Sequence, residues 1–119
     1  TMKHQPTKLT VEDLEEFTPM IKNQDFRLAK AMVEGVLATI DTDEDTAHLL
    51  AVEVKSEEAT YDITVAREDF IDTLEQNLPH YVKEEEYEQC RRIVDTLDEL
   101  KESTLSTMIE NLLEEKSKK

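Results

Sequence analysis

The chain has 119 residues, 29 of them acidic and 14 basic, for a formal net charge of −15. This length makes one domain, and a single glycine with no tryptophan excludes collagen-like repeats, glycine-rich phosphate loops and a β-sandwich full of tight turns. No run approaches the roughly 18 apolar residues that a transmembrane helix needs, so no membrane span is expected.

Residues 1–9 are polar, include Pro6 and have no periodicity, so they are expected to be disordered. Met2 reads as the natural start, and no signal peptide follows it. With Cys90 the only cysteine, no internal disulfide can form, and a cytoplasmic, reducing setting is expected. Thr10 followed by Glu12 and Asp13 is a cap-like helix start, with Val11, Leu14 and Phe17 at helical spacing. Pro19 is expected to end that helix. Asn23 then caps a second one over 24–40, whose apolar positions Phe26, Ala29, Val33, Val36, Leu37 and Ile40 step by three and four. Gly35, the chain's one glycine, lies inside it. It weakens the helix by up to about 1 kcal/mol against alanine, which points to a close backbone contact.

Residues 41–45, Asp-Thr-Asp-Glu-Asp, form an acidic loop. Asp41, Asp43 and Asp45 have the odd spacing of a calcium loop's first ligands. The glycine and the bidentate glutamate such a loop needs are replaced by Thr46 and Val52, so no metal is expected there. The period then changes. Leu50, Val52 and Val54 alternate with polar or small residues, as do Tyr61, Ile63 and Val65, which predicts a β-hairpin. A helix through 44–58 is the competing reading, since the turn offers neither glycine nor asparagine.

From Glu68 the pattern is helical. Phe70, Ile71, Leu74, Leu78, Tyr81 and Val82 form one stripe, and Pro79 is expected to kink or restart it. A break near 83–86 precedes a stripe of Tyr87, Cys90, Val94, Leu97 and Leu100. Lys101 and Thr104 fall where that stripe should continue, and Leu105, Met108, Ile109, Leu112 and Leu113 resume it in a new phase. Either a last helix begins after Ser103, or one long helix projects. Residues 10–115 are thus expected to form a single acidic domain, with 116–119 a polar tail.

Little here suggests catalysis. His4, His48 and His80 lack partners at metal spacing. Ser103, Thr104 and Ser106 lie in no nucleophile motif, and Cys90 sits on an apolar stripe as a small hydrophobe. No cofactor is expected. Residues 82–100, with Tyr87-Glu88, the small Cys90, Ile93, Asp95 and Leu97, resemble the UVR motif, a helical hairpin of excision-repair subunits and McsA-type adaptors. Arg91 and Val94 depart from its pattern. The resemblance implies at most a protein–protein docking element, not a DNA-repair function.

The expected fold is α+β, with helices packed around one β-hairpin and a C-terminal helical hairpin; an all-α bundle is the alternative. The expected function is that of a small, acidic, non-catalytic interaction or regulatory protein of phage or bacterial type. Its surface is expected to be Tyr87, Leu105, Met108, Ile109, Leu112 and Leu113. The expected partner is a protein, a second copy included, rather than nucleic acid, whose backbone the net charge repels. Two alternatives remain, an acidic mimic of nucleic acid that blocks a basic groove and an enzyme built on clustered carboxylates.

Overall fold

The computed structural model describes residues 6–23 and 25–117. In chain order they form β1 (Thr7–Val11), α1 (Leu14–Lys22), α2 (Phe26–Thr39), β2 (Thr46–Val54), β3 (Ala59–Ala66), α3 (Phe70–Lys83) and α4 (Tyr87–Ser117). The fold is α+β, and the strands at 46–54 and 59–66 rule out the all-α alternative.

β2 is the central strand of the sheet β1-β2-β3. It pairs antiparallel with β3, from Thr46 opposite Ala66 to Val54 opposite Ala59. The pairing slips between His48 and Leu50, leaving Leu49 as an extra residue. This bulge lets both Leu49 and Leu50 turn inward with Ala47, Val52 and Val54. The turn needs one left-handed residue, and Glu58 takes that conformation at φ 50°. The opposite sheet face is polar and carries an exposed ion pair, Lys8 with Glu53 at 3.4 Å, and a hydrogen bond between His48 and Asp62 at 2.9 Å. Pairs this exposed contribute little to stability.

β1 corrects the expectation of disorder over 1–9. Residues 7–11 run parallel to β2, with Thr7 opposite Leu50 and Val11 opposite Val54. Val11 is a core residue of this strand and not the first turn of a helix. Residues 1–5, His4 among them, lie outside the described residues. The N-cap of α1 is Asp13, whose side chain accepts from the Glu16 amide at 3.0 Å, while Glu16 accepts from the Glu12 amide at 2.8 Å. This reciprocal bonding satisfies amides that have no partner within the helix.

Neither internal proline ends its helix: α1 runs through Pro19 and α3 through Pro79. Each proline removes the bond to the carbonyl four residues back, at Glu15 and Glu75. All four residues are exposed, so water can take the lost bond. The side chain of Asp25, not Asn23, caps α2, bonding the Arg27 amide at 2.9 Å.

The core lies between the inner sheet face and the helices. α2 covers β2, α3 packs on α2, and the first part of α4 packs on α3. Gly35 marks the closest approach of α2 to the sheet. A Cβ there would stand 2.5 Å from the Leu49 Cδ2 and 3.2 Å from its Cα, as the lone glycine in the helix implied.

Tyr81, only 3% exposed, sets its ring edge-on to Phe26 with centroids 4.9 Å apart. Burial, aided by the carboxylates of Glu34 and Glu86, pushes its phenol up to about 12 from an ordinary 10.0. Below pH 10 the phenol is neutral in both folded and unfolded chains, and the packing contributes fully. Between about 10 and 12 the unfolded chain ionises first, so stability falls as pH rises. An ultraviolet difference titration should contain a component with a midpoint near 12 that is absent from Tyr81→Phe. Ionisation of every tyrosine near 10 would contradict this.

Candidate interaction surface

The connection between α3 and α4 is Glu84, Glu85 and Glu86. The Glu85 amide bonds the Val82 carbonyl at 3.0 Å and the Glu86 amide bonds the Tyr81 carbonyl at 3.0 Å. With Glu85 left-handed at φ 58°, this is a Schellman stop made without glycine. It is the break expected near 83–86.

α4 then runs for 31 residues without a break. No glycine or proline follows Pro79, and the segment is rich in glutamate and leucine, both good helix formers. Threonines at 96, 104 and 107 turn their hydroxyls back to the carbonyls of Arg92, Leu100 and Ser103, so they do not compete with the helix. The phase change after Leu100 is therefore not a new helix. It is one helix passing beyond its partner.

The inward face of the first half is Cys90, Ile93, Leu97 and Leu100, with Ile93 fully buried. This corrects the expected stripe, because Val94 is 41% exposed and Tyr87 63% exposed. Ile93 and Val94 are adjacent aliphatics, and α3 selects the one in phase with Cys90 and Leu97. α3 has 14 residues against 31 in α4. Lys101, which reaches Glu75 of α3 at 3.6 Å, stands where α4 leaves that neighbour.

Beyond it every described side chain is exposed. Leu105, Met108, Ile109, Leu112 and Leu113 are each 47% to 60% exposed. At 100° per residue, their stripe is turned by about 110° from the inward face of the first half. Tyr87 does not join them. It shares their side of the helix, but the rise per residue puts it about 27 Å from Leu105. α4 continues through Ser117, so residues 116 and 117 of the expected polar tail are helical, and the rest of it lies outside the described residues.

Charge distribution adds a signal that sequence reading passed over. Residues 103–113 hold one charged side chain, Glu110, in a chain that is 36% charged. From 103 to the end, three acids face three lysines, whereas residues 1–102 carry 26 acids and 11 bases. The exposed stripe is thus the electrically neutral end of a strongly anionic protein.

The other sequence candidates are scattered. Asp41, Asp43 and Asp45 are exposed, and among the described residues no three His, Cys, Asp or Glu side chains group as a metal site would require. Calorimetry with calcium should detect no binding tighter than about 10 μM, the sensor range, and a tighter constant would contradict this.

The acidic loop is instead held by Arg67, a residue with no sequence signal. Its guanidinium donates to the carbonyls of Thr39, Ile40, Thr42 and Glu44 at 2.6–3.3 Å. Its Cζ lies 5.2 Å from the centre of the Phe70 ring. α2 has no basic residue in its last turn, and Arg67 supplies that cation from 27 residues downstream of Ile40.

Among the described residues no helix is long and apolar enough to cross a membrane. No known family model, curated protein or solved structure matches this chain.

Proposed function

We propose that this chain is a non-catalytic interaction protein that pairs with a second copy of itself along the projecting half of α4. The observation that carries this is the coincidence of exposed apolar side chains with local charge neutrality at residues 103–113. Leu105, Met108, Ile109 and Leu112 follow the three- and four-residue steps with which helices interlock side chains. Complete burial of such side chains is worth about 1.5–3 kcal/mol each. Two copies meeting at this end keep their anionic parts apart, and salt screens the remaining repulsion beyond about 8–10 Å. The likeness of residues 82–100 to a UVR docking element fits a protein partner. A direct nucleic-acid role has no support in the charge, since the first 102 residues repel a phosphate backbone.

The double substitution Leu105→Glu, Leu112→Glu tests the pairing without touching the core, because both side chains are already exposed. Sedimentation velocity at tens of micromolar should give a dimer for the native chain and a monomer for the variant, with unchanged circular dichroism. A monomeric native chain, or a variant that dimerises equally, would reject the proposal.

A further inference from the structure

A half-enclosed cavity of about 240 Å³ lies between α1, α2, α3 and the sheet. Phe17, Leu28, Met32, Leu50 and Ile63 give it apolar walls. α3 contributes Asn77, which is 8% exposed. The Asn77 Nδ2 donates to the Thr73 carbonyl at 2.7 Å and to the Met32 sulfur at 3.6 Å. A carbonyl oxygen only accepts, so the orientation of the amide is fixed and Oδ1 is its free end. Oδ1 has no hydrogen-bond partner among the described residues. Because no fully buried side-chain polar atom there is left without one, Oδ1 keeps accessible surface, on a side chain that lines the cavity.

Two further polar side chains line the cavity, Asp25 from the start of α2 and His80 from α3. The Asp25 carboxylate is committed to Arg27, bonding its Nε at 3.1 Å and its Nη2 at 2.9 Å. With Asp25 committed, the Asn77 amide and the His80 ring are the polar edges of walls that are otherwise apolar, which suits an apolar body better than water alone. An anion would meet Asp25 and a strongly anionic protein. An apolar cavity of about 150 Å³ accepts benzene, so this larger one suits a bicyclic ring system.

We propose that this cavity is a binding site for a neutral aromatic compound of about bicyclic size that carries one N–H or O–H donor. The rings lie against Phe17, Leu28 and Met32, and the donor bonds the Asn77 Oδ1. The site is separate from the projecting half of α4 and does not depend on the pairing proposed there.

The test is an NMR titration of the full chain with indole and with 1-benzothiophene, a near-isostere without the N–H. Saturable indole binding is expected at millimolar concentration or below, with shifts at the Met32 methyl and the Asn77 side-chain amide. Indole should bind about fivefold more tightly than 1-benzothiophene, the effect of one hydrogen bond. Asn77→Leu should abolish that preference. The preference in the native chain stands as a test even if the variant folds poorly. Absence of saturable binding, equal affinity for the two compounds, or shifts centred on Leu105–Leu113 would each overturn the proposal.

Discussion

Gly35→Val should destabilise the protein by roughly 3 kcal/mol, the upper range for forcing extra atoms into a packed core. Even the first added carbon would stand 2.5 Å from the Leu49 Cδ2 and 3.2 Å from its Cα. Leu49 is 2% exposed and sits in the β2 bulge, so its side chain has little room to yield, and its Cα at 3.2 Å is backbone that cannot turn aside. Valine's branches can only push α2 off the sheet. Gly35→Ala should fall between native and valine, because alanine's helix propensity, worth about 1 kcal/mol, partly offsets the contact. Urea unfolding monitored by circular dichroism measures both. A valine variant as stable as the native chain would mean that α2 does not sit this close to β2.

Arg67→Met should cost about 2–4 kcal/mol, since it strips a charged donor from several carbonyls at once. Four carbonyls at the end of α2 and in the acidic loop converge on this guanidinium. Methionine keeps most of the apolar stem and its packing but removes every donor. Arg67→Lys should recover only part of the loss, because an ammonium cannot present the planar fork that reaches Thr39, Ile40, Thr42 and Glu44 together. Amide hydrogen exchange should speed up at 39–45 in both variants. Native-like stability of Arg67→Met would show that water serves these carbonyls equally well.

Much of the fold was legible because it is locally coded. The hairpin strands follow from alternation at 50–54 and 61–65, and the break at 83–86 from the end of one stripe. The role of Gly35 follows from its cost inside a helix. What escaped depends on distant partners. β1 shows only Leu9 and Val11 as inward positions, and its pairing strand lies 43 residues away in register. Prolines 19 and 79 stand on exposed faces that only the packed structure defines. Arg67 acts on carbonyls, which leave no mark in a sequence, and Ile93 was passed over for Val94 because helical spacing alone admits both.

At the candidate surface the sequence located the stripe from Leu105 to Leu113 through its change of phase. It left open whether a second helix covers those residues, and it could not show that α4 outruns α3 by more than four turns. Asn77 and its cavity were unreadable for a similar reason. An asparagine amid an apolar stripe looks like an ordinary surface position until its neighbours are in place.

Sedimentation equilibrium of the full chain beside a chain ended after Glu102 tests the pairing of α4 most directly. The truncation keeps the sheet, α2, α3 and the packed half of α4, with Lys101 still able to reach Glu75, so its fold should persist by circular dichroism. The full chain should be dimeric at tens of micromolar and the truncated chain monomeric. A monomeric full chain, or a truncated chain that dimerises as strongly, would contradict self-association through the projecting half of α4.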